Sequence, residues 1–528
     1  MSKTSIASKW VRRRLVRNSL AGTSMCLLPV LVQAAQFDLG DDWQVAVDST
    51  VSYGAAWRVE SADPDNLLDP NMDDGNRNFD KGLISNRVSV VSDVDISDGN
   101  KGLFLRVNGF YDDRYHSSTD HDLPATYNSD PMYGGSAASS RDFADNTIDQ
   151  HGDDLRLLDA FFYTNFTLGD HDAALRVGRQ VVSWGESLFI QNSINSANPV
   201  DASKANVPGI EVKEILLPVN MIFGQVDLTD RLSMEAYYQF EWKKSEIDAA
   251  GSYFSYNDML DEGGDNLLVP HPVIPNALFP LSRSGDRTPS DSGQWGVAFH
   301  YMVPELNDTE FGFYAMNYHN KTPELLIDAS NPMAPHYYLE YLDDIRLYGL
   351  SMGTVLGSTN VGAEISYREN QPVAIANPAT TAVPYTRTDM IQGQVSFVHL
   401  TGPNALADNI TLMGEAAVTH VPDLDDDEIF GADKTAWGYT LSSTFEYNSA
   451  LPGIDLKVPV VISHSVDGVS ASLASGFSEG VKKVSFGLEA VYLRNLEASL
   501  KYSAFFGGGT SNPLRDRDFI AFNLKYGF

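Results

Sequence analysis

The chain has 528 residues, with 37 Lys and Arg against 70 Asp and Glu, a formal net charge of −33 and one cysteine. Such acidity excludes a nucleic-acid partner, because a phosphate backbone demands clustered Lys and Arg. A single thiol excludes a disulfide framework.

Lys3, Lys9, Arg12, Arg13, Arg14 and Arg17 make a basic start, an apolar run follows from Leu20 to Val32, and small residues Ala34 and Ala35 precede Gln36. That is the order of a secretory signal peptide, and the run is too short to cross a bilayer as a helix. Residues 1–34 are therefore expected to be removed with Cys26, leaving 35–528 as a single domain. Beyond them no apolar run approaches ~20 residues, which excludes a bundle of membrane-spanning helices.

Val45, Val47, Val51, Tyr53, Ala55 and Trp57 alternate with polar residues and read as a first strand. Side chains on a strand point to opposite faces in turn, so one face is apolar and the other wet. A long acidic loop, Asp63 to Asp80, leads to Val88, Val90, Val94 and Ile96, and the tight turn Asp98-Gly99-Asn100 returns the chain through Leu103, Leu105 and Val107. A second long loop, roughly Asp113 to Asp154, precedes Leu158, Ala160 and Phe162, the turn Gly169-Asp170, and Leu175 and Val177. Short turns alternating with long loops are the beat of an up-and-down membrane barrel.

The same beat runs on. Leu232, Met234, Ala236, Tyr238, Phe240 and Trp242 oppose Ser233, Glu235, Gln239, Glu241 and Lys243. Further apolar rows start at Trp295, Val361, Trp437, Leu456, Val484 and Leu496, with turns at Gly357-Ser358 and Arg494-Asn495. The final row is Ile520, Phe522, Leu524, Tyr526 and Phe528, and an aromatic last residue is the mark that barrel-assembly machinery reads. The 24 Tyr and 26 Phe suit interfacial girdles. The fold expected is all-β: a transmembrane antiparallel barrel of about eighteen strands, sixteen being the next choice, bathed in lipid and lipopolysaccharide. A secreted soluble β-protein is the bland alternative, but its strands would average about six residues.

One stretch breaks the pattern. From Arg176 to Val219 the text has strand character to Ser183, turns irregular and rich in Gly, Asn and Pro, and becomes strand again near Ile215. It falls between the fifth and sixth strands and starts on the side of the long loops. Arg176, Arg179, Trp184, Glu186, Asn198, Asp201, Lys204, Glu211, Lys213 and Glu214 are its candidate functional residues. Their mixed signs suit a packed, salt-bridged constriction or plug over 184–218 better than a one-sign ion filter. The competing reading is a surface loop whose charges tie it to the barrel wall.

Catalytic and metal signals are weak. Ser463-His464-Ser465, with His399 and His420 elsewhere, lacks the third group a triad needs. No phosphate loop, zinc-spaced Cys/His set or dinucleotide fingerprint occurs, so no cofactor is expected. Asp63–Asp80 and Asp423–Glu428 could attract divalent cations, but solvated loops bridged to lipopolysaccharide explain them more cheaply.

Gly178-Arg179-Gln180, Trp184-Gly185-Glu186, Asn198-Pro199-Val200-Asp201, and Lys213-Glu214 with Leu216-Leu217-Pro218 carry a resemblance. Together they resemble the proteobacterial outer-membrane family known as domain of unknown function 1302, and the likeness runs from the mature start to Phe528. Gln191 and Ser193 depart from it, standing where Pro and Gly are expected. The resemblance implies an outer-membrane barrel whose genes often accompany an outer-membrane lipoprotein and an inner-membrane exporter, near lipid or steroid catabolism. It therefore implies traffic in hydrophobic or amphipathic molecules and supplies no catalytic residues. A water-filled porin and a structural or adhesive surface barrel are the alternatives.

Overall fold

The computed structural model describes residues 35–528 except 41, 272, 276, 376–383 and 473–475. The expected signal peptide, with Cys26, lies outside the described residues.

Eighteen strands close into one barrel. They are β1 (Gln44–Arg58), β2 (Gly82–Ser97), β3 (Lys101–Asp112), β4 (Asp153–Leu168), β5 (His171–Gln180) and β6 (Val219–Thr229). Next come β7 (Leu232–Gln239), β8 (Trp295–Val303), β9 (Thr309–Tyr318), β10 (Ile345–Leu356), β11 (Thr359–Ala374) and β12 (Tyr385–Leu400). The ring is completed by β13 (Asn409–His420), β14 (Thr435–Leu451), β15 (Ile454–Asp467), β16 (Val481–Tyr492), β17 (Leu496–Gly507) and β18 (Phe519–Gly527). Each strand pairs with its sequence neighbour, and β18 returns to β1 from Thr50↔Gly527 to Arg58↔Phe519. Joining the last strand to the first closes the sheet into a ring, the form in which a sheet can sit in hydrocarbon.

The alternation runs as expected. Val88, Val90, Ile365, Val395, Phe397, Leu441, Phe486, Leu488 and Leu500 are exposed on the outer wall. Their neighbours Glu364, Ser366, Gln392, Gln394, Ser396, Glu415, Ser485, Ser503 and Asn523 are buried on the inner one. An apolar exterior around a polar interior is what lipid outside and a filled lumen inside demand. Two positions differ from the sequence reading. A register shift between Leu105 and Val107 of β3 pairs them with Ala160 and Leu157, which takes Leu158 off the outward row and buries it. Trp242 lies beyond β7 and packs on Tyr341, its Nε1 donating to Asn320 O at 3.1 Å.

Tight turns such as 98–100, 169–170, 357–358 and 493–495 mark one mouth, and 59–81, 113–152, 240–294 and 319–344 mark the other. The long connections build a cap that the sequence did not announce. It contains a four-stranded sheet (Asn266–Pro270, Leu278–Arg283, Glu324–Asp328, His336–Glu340). It also holds an aromatic knot of Phe79, Tyr115, Phe143 and Tyr253. Arg58 ties the knot to the connection before β18 by donating to Phe79 O at 2.7 Å and Asp516 O at 3.1 Å.

Candidate functional site

β5 stops at Gln180 rather than Ser183, and β6 resumes at Val219 rather than Ile215, so the irregular stretch is 181–218. Val182 and Trp184 leave the wall to join a buried cluster with Met221, Phe223, Tyr237 and Tyr314. Apolar burial thus outweighs continuation of the ladder at this point.

The stretch then laces itself to inward-facing side chains around the ring. Trp184 Nε1 donates to Glu235 of β7 at 2.6 Å. Gly185 has φ +88°, and a Cβ there would collide with the Glu364 carboxylate, so only glycine brings the backbone this close. Glu364 of β11 accepts the amides of Glu186 at 2.6 Å and Ile194 at 3.4 Å. Glu415 of β13 accepts three consecutive amides, Leu188 at 3.1 Å and Phe189 and Ile190 at 2.6 Å each. On β12, Ser396 donates to Glu186 O and Gln392 to Gln191 O, both at 3.0 Å. Gln191 and Ser193 both anchor the loop, Ser193 Oγ lying 3.2 Å from Ser366 Oγ.

The second half turns to the opposite wall. Asn108 of β3 donates to Glu214 Oε1 at 2.6 Å, Lys525 of β18 pairs with Glu211 at 3.1 Å, and Lys483 of β16 donates to Asn206 at 2.6 Å. Lys213 sits 3.5 Å from Asp93 of β2 and 3.2 Å from Glu211. Lys204 is buried, 3.2 Å from Asp201. β3 and β12 stand on opposite sides of the ring, so a segment bonded to both lies across the lumen.

The ten residues singled out from sequence thus divide. Trp184 and Glu186 serve the β7–β13 wall, while Asn198 braces the segment itself, its Oδ1 accepting Val182 N at 3.2 Å. Asp201, Lys204, Glu211, Lys213 and Glu214 form one network against β2, β3 and β18, joined by Lys204 Nζ donating to Glu214 O at 3.3 Å. Arg176 lies on the inner face of β5, its guanidinium 4.3 Å from the Phe223 ring. Arg179 stands apart from the lumen. It pairs with Ala160 on the outward row and donates to Leu157 O at 3.2 Å and Glu241 at 3.0 Å, because three positions along a strand reverse the face. Sequence reading missed the wall acceptors Glu364 and Glu415; alternation placed them inward, but nothing local marks them as loop anchors.

The other motifs fall elsewhere. Ser463 Oγ lies 3.0 Å from Thr440 Oγ1, while His464 meets Tyr439 edge to face, on the opposite face. In the Asp423–Glu428 loop, Asp425 and Asp426 engage Lys434. Among the described residues, oxygens of Asp73, Asp74 and Asp258 converge within 4.8 Å, close enough to hold a cation. They already take bonds from Arg77, His121 and the Asn128 amide. Burial raises the carboxyls of Asp74 and Asp258 well above the usual range and pushes His121 down to about 4.

A closed antiparallel ring with an apolar belt, a polar interior and a segment folded across its lumen defines a transmembrane β-barrel of the outer-membrane type. The chain belongs to the family described as "Protein of unknown function (DUF1302)", which it matches over residues 15–528. Among curated proteins no match is found. Among solved structures it is similar to Pseudomonas aeruginosa OccK2 (OpdF), at 10% identity and a TM-score of 0.39, over 92% of this chain and 97% of that one. It is similar also to Acinetobacter baumannii OccAB1, at 8% identity and TM-score 0.44 over 94% and 98%. A third is P. aeruginosa OpdK with vanillate, at 10% identity and TM-score 0.40 over 91% and 98%.

Proposed function

We propose that this protein is a selective conduit across the outer membrane, narrowed by residues 181–218, for hydrophobic or amphipathic molecules of the lipid, fatty-acid or steroid class. The observation that carries the conduit is the lacing of that segment to inward side chains from β2 to β18, which makes it the element any passing molecule must meet. The cargo class comes from the family resemblance, as do the partners proposed here, an outer-membrane lipoprotein and an inner-membrane exporter.

The competing reading is a water-filled porin for hydrophilic solutes. It draws support from the charged lumen, where Arg106 pairs with Asp93 at 2.8 Å and Asp159 at 2.9 Å. Single-channel conductance of the refolded barrel, with and without residues 192–204, separates the two. A closed wild type opened by the deletion supports the gated conduit. Steady open conductance in the wild type supports the porin.

A further inference from the structure

The barrel wall has a window where β5 breaks off. β4 begins at Asp153, yet its pairing with β5 starts only at Ala160↔Arg179. Among the described residues, no ladder joins Asp153–Asp159 to a neighbour on that side. β6 and β7 resume the wall from Val219 and Gln239. What crosses the gap is side chains: Arg156 to Glu246 at 2.6 Å and Asp201 at 3.6 Å, Arg179 to Glu241 at 3.0 Å and Arg179 to Leu157 O at 3.2 Å. Gln150 closes the top, donating to Ile247 O at 2.7 Å.

A cavity of about 420 Å³ fills the frame. Its lips include Leu155 and Leu157, 65% and 46% exposed on the lipid-facing row. Leu217 and Pro218, the end of the lumenal segment, line it as well, Leu217 only 4% exposed. Leu158, displaced by the β3–β4 irregularity, is a further wall residue. Bulges concentrate at working places in sheets.

We infer that this window is a lateral portal through which a single-chain amphiphile with a carboxylate head moves between the lumen and the outer leaflet. This rests on the conduit reading above. The apolar chain matches Leu155, Leu157, Leu217 and Pro218. The head matches Arg156, Arg179 and Lys243, cations already holding carboxylates: Asp154, Asp201 and Glu246 on Arg156, and Glu241 on Arg179 and Lys243. A ligand carboxylate can replace Glu246 or Glu241. Side-chain struts part without breaking a backbone ladder, so opening here costs far less than opening the sheet. The family motif Leu216-Leu217-Pro218 is then the inner leaf of the gate.

The test uses the full mature chain in phosphatidylethanolamine/phosphatidylglycerol vesicles, with photoreactive benzoylphenylalanine at Leu217 or, as control, at Tyr237 behind an intact part of the wall. Irradiation with alkyne-tagged oleate is expected to label position 217 at least fivefold more than 237, and Leu157→Asp or Leu155→Asp to abolish the difference. Equal labelling overturns the portal. In a parallel flux assay, oleate crossing at the wild-type rate in both lip variants overturns the portal and leaves the conduit standing. No oleate flux through the wild type overturns both.

Discussion

Glu415 concentrates the docking of the lumenal segment in one side chain. A carboxylate accepting three consecutive amides makes charge-assisted bonds, each stronger than a neutral one. Glu415→Gln keeps the shape and removes the charge, and is expected to cost about 2 kcal/mol of docking, seen as frequent opening events in single-channel records. Gly185→Ala brings positive φ and a collision with Glu364 together. A loss of about 2 kcal/mol is expected, read as a lower urea midpoint. Lys321, in the 319–344 connection, donates to Ser196 O at 3.0 Å, and burial pushes its ammonium down to about 7. A lysine depressed on folding binds its proton more readily in the unfolded chain, so folding stability rises with pH between about 7 and 10. In Lys321→Met that slope is expected to flatten by about one proton, measured by urea unfolding across the range.

At the scale of elements, the decisive event is the early end of β5. Its ten residues face a β4 of sixteen, and that mismatch frees 181–218 to enter the lumen and leaves the wall open beside it. The outward rows were legible because lipid demands alternation at every strand. The stop at Gln180 was not, since Val181, Val182 and Trp184 are themselves good strand formers. Only the cluster that Val182 and Trp184 join, with Tyr237 and Tyr314 from strands far along the chain, pulls the segment inward. The same holds for Arg179. Its charge suggested the lumen, and its parity on β5 set it outside.

Across the whole molecule, the outer belt and the inner row answer to different solvents, and substitutions should divide accordingly. Val395→Arg, on the lipid face of β12, is expected to destabilise the barrel by about 2–4 kcal/mol in vesicles. Ser396→Asn, one residue along on the lumen face, should cost much less and act instead on the bond to Glu186 O. Urea unfolding of both in lipid checks the contrast, and equal losses would refute the assignment of faces.

The amino-acid sequence by itself determined the class, a strand number of about eighteen with sixteen still open, and the place of the irregular segment between β5 and β6. Each follows from local alternation and connection length, which a membrane enforces along the chain. The tertiary structure alone decided which inward carboxylates hold that segment, which of its charges face the lumen, and where the wall parts. Those depend on strands that meet across a ring, such as β3 and β12, and closure over hundreds of residues leaves no mark in any local pattern.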